Sequence, residues 1–428
     1  METLKNIYFI GIGGIGMSGL ARLFLHEGVH VSGSDATEST LTQALEKEGA
    51  DISYIQEALN ISSRSELELV VYTEAISQDN PELEEARKKG IKTVNYFEAL
   101  GMIANEYYLI AVSGTHGKTT TTAMLIDILE EASFDPSAIV GSLRSKTGSN
   151  YRAGKSKYFI VEACEYRRDF LTLNPDVLVI TNIEHEHVDY YKDLSSVQEA
   201  FREFAVKVPD DGAVITNITD PKIIPVVANL SCAVMDYRQS LDLSLPLRQP
   251  GLHNRLDAAA ASSAARFLGI EQTIINSALE NFAGTARRFE YKGECNNAPV
   301  YDDYAHHPTE IEATIAGVRE LYPNKRLTVV FQPHTYSRTS ELFDDFVSVL
   351  SKADRVIMVP VYAARSEEGY TKTSEDIVAA LTANNITAEY FVTLDAAAQA
   401  ITDSVTKDDV VVVMGAGDVT KIAAALTN

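Results

Sequence analysis

Two glycine-rich segments, each set between an apolar run and an amphipathic stretch, constrain this chain more than any other feature. The first, Gly11-Ile12-Gly13-Gly14-Ile15-Gly16, follows the strand-like Ile7–Ile10 and precedes a helical stretch over Gly16–Leu25. Glycines at this spacing let the backbone turn tightly and approach a diphosphate, whose charge then rests on the helix N-terminus. Asp35 closes the next expected strand, the usual place for an acid that accepts from ribose hydroxyls. The pattern predicts nucleotide binding without choosing the nucleotide, since NAD and a UDP-sugar both offer a diphosphate and a ribose.

The second segment, Ser113-Gly114-Thr115-His116-Gly117-Lys118-Thr119-Thr120, follows Tyr108–Val112 and opens a helix over Thr119–Glu131. It reads G-x-x-G-K-T, a Walker A loop shortened by two residues. Its backbone N–H groups would cradle phosphates, Lys118 would neutralise the β and γ oxygens, and the Thr119 hydroxyl would bind Mg²⁺. A hydride-transfer enzyme has no evident use for such an ATP cradle. An ATP-driven enzyme whose substrate is itself a nucleotide diphosphate needs both loops.

Around these loops the chain alternates short apolar runs with longer amphipathic stretches, the signature of parallel-sheet α/β domains. Further strands are expected at Val29–Val31, Leu69–Tyr72, Phe159–Glu162, Val177–Thr181, Ala213–Thr216, Leu327–Phe331, Arg355–Val359 and Val410–Met414. Further helices are expected at Arg255–Leu268 and Ser340–Leu350. A length of 428 residues predicts two or three domains at roughly 150 residues each. The points where motifs restart divide it into 1–105, 106–290 and 291–428.

Composition removes several function classes. A net charge of −23 argues against nucleic-acid or anionic-membrane binding, which need a cationic surface. Three scattered cysteines are too few for a disulfide framework or a zinc site, so a reducing compartment is expected. No run approaches the roughly 20 apolar residues of a membrane span, and no charged-then-apolar leader precedes Ile7. The expected location is the cytoplasm, without membrane insertion.

Ligands of α/β sheets collect at the C-terminal ends of strands, so Glu162 and His187, just past two such ends, could converge on the Lys118 loop. One carboxylate and one imidazole suit Mg²⁺ when phosphates and waters complete the shell. A zinc site from His185, Glu186 and His187 is the weaker rival, lacking cysteine or an H-E-x-x-H helix. Asn254, before an alanine-rich helix, could bond an adenine edge, and Arg287-Arg288 could carry a cation to a phosphate. Tyr301–Pro308 and Phe331–Arg338 each follow or end a strand and are ambiguous alone.

Taken in order, these segments resemble the Mur ligases over essentially the whole chain. The resemblance rests on Gly11–Gly19, Gly114–Thr120, Asn182–His187, His253–Asn254, Arg287–Phe289, Asp302–Glu310, Gln332–Thr339 and Gly415–Asp418. The N-terminal G-x-G-G-x-G and the D-D-Y-x-H-H-P stretch resemble the alanine-adding branch. The resemblance implies an N-terminal Rossmann-like domain for the UDP part, a central P-loop ATPase-type α/β domain, and a C-terminal Rossmann-like domain that closes to bring in the amino acid. It implies ATP and Mg²⁺, with UDP-N-acetylmuramate and L-alanine as substrates of an amide ligase that works through an acyl phosphate; a monomer or homodimer is expected.

Residue by residue, the resemblance implies ATP on Gly114, Thr115, His116, Gly117, Lys118, Thr119, Thr120, Asn254, Arg288 and Asp303. It implies Mg²⁺ on Thr119, Glu162 and His187, and the UDP-sugar on Gly11, Gly13, Gly14, Gly16, Asp35 and Thr73. The catalytic set is Lys118, His187, Arg288, His334 and Arg338, with His187 and His334 as alternative bases. Three positions depart from the commoner pattern: Cys164 where E-A-D-E-S has aspartate, Glu186 for aspartate, and Thr335 where arginine is often found. Rival readings are a Mur-type ligase for another amino acid or a tripeptide, a folylpolyglutamate-type ligase, a non-catalytic nucleotide sensor and an NAD dehydrogenase.

Overall fold

Runs of four to six residues rich in valine, leucine and isoleucine fold as strands buried on both faces, as a parallel sheet covered by helices requires. A computed structural model describes residues 4–187, 190–363 and 369–427. The first sheet holds β1 (Asn6–Ile10), β2 (His30–Ser34), β3 (Asp51–Ser53), β4 (Leu69–Tyr72) and β5 (Lys92–Asn95) in the order 3-2-1-4-5. All its pairings are parallel. The order reverses beside β1, so Gly11–Gly16 emerges at the switch point, where such sheets leave a crevice for ligands.

The second sheet holds β6 (Tyr108–Ser113), β7 (Ser137–Arg144), β8 (Ser149–Arg152), β9 (Tyr158–Glu162), β10 (Val177–Ile180), β11 (Ala213–Thr216) and β12 (Ala233–Asp236). Its order is 12-11-10-6-9-7-8, and only the β7–β8 hairpin is antiparallel. The strand before the Walker-type loop, β6, therefore lies between β9, which ends in Glu162, and β10, which leads into Asn182. The third sheet holds β13 (Glu290–Cys295), β14 (Ala298–Asp303), β15 (Arg326–Phe331), β16 (Arg355–Met358), β17 (Thr387–Tyr390) and β18 (Asp409–Met414). Its order is 13-14-18-15-16-17, antiparallel only at β13–β14. This is the three-sheet α/β architecture expected from the sequence.

The chain forms two compact units. One runs to Leu245 and includes Leu256–Phe282; the other holds Pro246–Arg255 and the chain from Ala283 onward. In the first unit, the β7–β8 hairpin packs on the helix Ile15–His26. Asn150, fully buried, accepts from Arg22 Nη1 at 2.8 Å and donates to the Ile15 carbonyl and to Ser18 Oγ. Gly19 makes room for it, since a Cβ there would lie 3.2 Å from Asn150 Nδ2.

One helix differs from expectation. Ser340–Leu350 is not continuous: helices Tyr336–Glu341 and Phe343–Leu350 meet at Leu342, whose φ of −107° and ψ of 22° break the helix. No helix among the described residues is long and apolar enough to cross a membrane.

Candidate active site

The front loop is shaped by close approaches. Gly11 has φ +81°, and a Cβ on it would fall 2.4 Å from Thr73 Cγ2. Asp35 Oδ2 accepts from the Gly13 amide at 2.9 Å, and its Oδ1 from the Thr37 amide at 3.2 Å, so this acid orders the loop itself. Gly14 caps the helix Ile15–His26 with no side-chain hydrogen bond, leaving first-turn N–H groups for an anion. Gly11, Gly13, Gly14, Gly16, Asp35 and Thr73 thus belong to one loop region at the ends of β1, β2 and β4.

The second loop is latched by the segment after β10. The Thr115 amide donates to the Asn182 carbonyl at 3.0 Å and the His116 amide to Asn182 Oδ1 at 2.9 Å. Thr115 Oγ1 accepts from the Glu184 amide at 2.8 Å, and His116 Nε2 lies 3.4 Å from Glu184 Oε2. Gly114 has φ +130° and Gly117 φ +81°. A Cβ on Gly114 would lie 2.1 Å from Thr181 Oγ1, and one on Gly117 2.2 Å from Asp257 Oδ1. Only glycine fits either place.

Lys118 and Thr119 open the helix Lys118–Glu131, with Thr120 buried in its first turn. Lys118 Nζ donates to the carbonyls of Gly114 and Thr115 and lies 3.1 Å from Glu165 Oε2. Burial alone would lower its pKa. The surrounding carboxylates outweigh that and raise it, Glu165 first, with Glu186 and Glu162. Burial, then the neighbouring Glu165, pushes the Cys164 thiol up to about 12 against the opposing pull of Lys118, so it stays protonated.

The expected metal residues separate into two groups. The Thr119 hydroxyl donates to Glu162 Oε1 at 3.0 Å, and Glu162 Oε2 accepts from the Gly141 amide at 2.8 Å. His187 instead stands with Glu165 and Glu186, one ligand atom of each within 4.8 Å of the others. His187 has φ +53° and its ring lies 4.7 Å from that of Tyr166. A hydroxyl and hard carboxylate oxygens at the head of a phosphate loop are the donors Mg²⁺ takes, so these residues fit it.

Asn254, Arg288, Asp303, His334 and Arg338 all lie in the second unit. Asn254 Nδ2 donates to the Pro250 carbonyl at 2.7 Å and lies 3.0 Å from His253 Nε2, leaving its Oδ1 directed elsewhere. Burial lowers the His253 pKa to about 4, so the imidazole is neutral. Burial raises the Asp303 carboxyl to about 6 against the opposing pull of Arg288. Asp303 accepts from the Ala305 amide and from Thr314 Oγ1, both at 2.9 Å.

The two adjacent arginines both stand over the Tyr304 ring, Arg287 at 5.0 Å and Arg288 at 5.1 Å, and Arg287 also donates to the carbonyls of Gly415 and Gly417. Arg338 Nη1 lies 3.2 Å from His334 Nδ1. The His334 ring stacks on Tyr362 and meets His306 edge-on, each pair of centroids 5.8 Å apart. Sequence reasoning did not single out Gly141, Asn150 or Asp257, which come to the loops only through long-range packing, nor Tyr362, which packs on His334.

A phosphate loop headed by a partly buried lysine and a hydroxyl–carboxylate pair, behind a dinucleotide-type loop, fits an ATP-dependent ligase. The chain belongs to the Mur ligase family: the Mur ligase family catalytic domain matches residues 6–108, the Mur ligase middle domain 112–244, and the Mur ligase glutamate ligase domain 287–417. It is 41% identical to a UDP-N-acetylmuramate–L-alanine ligase of Agathobacter rectalis, covering 97% of this chain and 96% of the relative. A protein of the same name from Clostridium tetani is 39% identical over 98% of this chain and 97% of its own. The crystal structure of the UDP-N-acetylmuramate-alanine ligase of Thermotoga maritima superposes with a TM-score of 0.83 at 28% identity, covering 99% of this chain and 98% of that one.

Proposed function

We propose that this enzyme joins L-alanine to the lactoyl carboxylate of UDP-N-acetylmuramate, converting ATP to ADP and phosphate, in the cytoplasmic synthesis of peptidoglycan precursors. The observation that carries this reading is similarity over nearly the full length, at about 40% identity, to proteins named for that reaction. The division into 1–105 for the UDP-substrate, 106–290 for ATP and 291–428 for the amino acid belongs to the same proposal, as does a monomeric or homodimeric state.

The chemical obstacle is charge. A carboxylate approaching a γ-phosphate at 4 Å meets a repulsion of about 4 kcal/mol per charge pair at an effective dielectric near 20. Lys118, held between the loop carbonyls and Glu165, sits where the loop would present β and γ oxygens. Arg288 would supply a second cation, and the amides of Gly114, Gly117 and Thr120 would form the cradle beside the Thr115 and His116 amides, which Asn182 already engages. Thr119 and Glu162, and His187 beside Glu165, would hold Mg²⁺. That ion would supply further charge neutralisation at the phosphates.

In the lysine-centred site, the lactoyl carboxylate takes the phosphoryl group and the alanine amine displaces phosphate, leaving an amide. Asn254 offers Oδ1 to the adenine edge and Asp303 accepts from the nucleotide or orients Arg288. His334 and Arg338 hold the amino acid and lactoyl end, with His187 or His334 taking the proton from the amine. Gly11, Gly13, Gly14, Gly16, Asp35 and Thr73 hold the UDP part. The test is phosphate release with UDP-N-acetylmuramate, ATP and Mg²⁺ against a panel of amino acids and a peptidoglycan tripeptide. Release with alanine is expected; release only with another acceptor would replace this reading by its nearest rival.

A further inference from the structure

Arg287 gathers three parts of the second unit. Its backbone lies in the left-handed region, φ +57°, which arginine adopts where its surroundings impose it. Its amide donates to Glu290 Oε2 at 2.9 Å, and its carbonyl accepts from the Tyr304 amide at 2.7 Å. From that base the side chain runs past the buried Asp302, with Nε 3.6 Å from Oδ2, to the carbonyls of Gly415 and Gly417. Both carbonyls accept from Nη2, whose two protons are thereby committed to protein oxygens. Arg287 is built into the fold here, not held out to a phosphate.

The groups it holds lie on either side of His334. On one side Gly417 backs onto Tyr362, since a Cβ there would fall 2.6 Å from Tyr362 Cγ and 2.7 Å from its Cδ2. The Tyr362 ring in turn lies over that of His334, with 16° between their planes. On the other side the Tyr304 ring, under Arg287, meets His306 edge-on at 5.4 Å, and His306 meets His334 edge-on. The contacts close into a ring running Arg287, Tyr304, His306, His334, Tyr362, Gly417 and back to Arg287. Tyr304, His334, Tyr362 and Gly417 follow β14, β15, β16 and β18, at the strand ends where ligands of such sheets collect. A planar fork that reaches two carbonyls while lying over an aromatic ring meets a demand that lysine cannot.

We propose that Arg287 is a positioning residue for the amino-acid site: through Gly417 and Tyr304 it sets the two aromatic flanks of His334, and with them the place of the acceptor. The inference rests on the proposed function, which gives His334 to the amino acid. It separates the first arginine of the pair from the phosphate contact proposed for Arg288.

Initial-rate kinetics of phosphate release by the full-length enzyme and its Arg287→Lys variant test this. Lysine keeps a charge beside Asp302 and loses the fork. The KM for L-alanine should rise about tenfold or more, since displacing a bound group by about 1 Å can cost up to about a hundredfold. The KM values for ATP and UDP-N-acetylmuramate should stay within about twofold, because the interaction removed serves neither. A purely structural role would instead lower the amount of active enzyme, and so kcat, at unchanged KM. Tyr362→Leu, at a half-exposed residue, removes the stack on His334 without touching Arg287 and should also raise the alanine KM. The double variant should fall short of the product of the two effects, as residues acting along one path do. Independently of turnover, the His334 imidazole proton resonance, assigned by its loss in His334→Gln, should shift in Arg287→Lys. An unchanged alanine KM, an equal rise for ATP, or an unmoved His334 resonance overturns the assignment. A parent that releases phosphate with no amino acid would sink the ligase reading alone, while the His334 resonance still decides this one.

Discussion

The geometry at Gly114 allows a quantitative test of the second loop. In Gly114→Ala the new methyl would sit 2.1 Å from Thr181 Oγ1 and 3.0 Å from both the Thr181 nitrogen and the Asn182 oxygen. Two of these three atoms are backbone of the segment that latches the loop, so they cannot swing away. A φ of +130° is itself strained for an L residue, by about 1–3 kcal/mol. Overpacking adds about 1–3 kcal/mol. The sum is about 2 kcal/mol at the least, which corresponds to roughly thirtyfold weaker ATP binding if the loop must distort to relieve it.

Titration with an ATP analogue reads this directly, with UDP-N-acetylmuramate as the control ligand. Thr181→Ala removes the nearest atom but also the bonds from Thr181 Oγ1 to His116 O at 2.5 Å and Ser113 O at 3.3 Å. The double variant should therefore lie closer to Thr181→Ala than the summed single effects, because the collision is gone and only the dihedral strain remains. Wild-type ATP affinity in Gly114→Ala would refute the argument that this loop is fitted to phosphate by its backbone.

Other perturbations separate the two loops and the third sheet. Lys118→Ala should abolish ATP- and alanine-dependent phosphate release while binding of UDP-N-acetylmuramate persists by calorimetry. Gly13→Val should raise the KM for the UDP-substrate far more than that for ATP, because even a Cβ would meet Asp35 Oδ2 at 2.8 Å and Thr42 Cγ2 at 2.9 Å. Asp303, raised to about 6 in the folded state, binds its proton more tightly folded than unfolded. Its contribution to stability is thus full below about pH 4 and is lost as pH rises toward 6, by about 2–3 kcal/mol. The Tm of the parent relative to Asp303→Asn should fall over that interval; parallel profiles would show that the carboxyl is not perturbed.

How much was legible in the sequence follows from where the signal is local. Leu69–Tyr72 and Ala213–Thr216 match the observed strands residue for residue, since short β-branched runs between turns leave little choice. Strands β3, β5 and β17 are edge or near-edge strands with polar residues, and they carry no comparable pattern. The β7–β8 hairpin was equally silent, its second strand reading Ser-Asn-Tyr-Arg. The site shows the same division. Lys118, Thr119 and Glu162 stand at strand ends, where chain order alone predicts ligands. Asn150 and Tyr96 reach the front loop from 135 and 80 residues beyond Ile15 and Gly16, through packing that no local spacing encodes. The pairing of His187 with Glu165, rather than with Glu162, likewise depends on the turn at His187 with its positive φ.

The Asn150 clamp has a mechanical consequence. Because a hairpin of the second sheet grips the helix that follows the front loop, changing the gap between the two anion cradles requires breaking the Asn150 bonds, as opening a clamped caliper requires loosening its screw. A sugar nucleotide then qualifies by the span between its phosphorus atoms and its acid group, and a longer or shorter homologue would engage one jaw while missing the other.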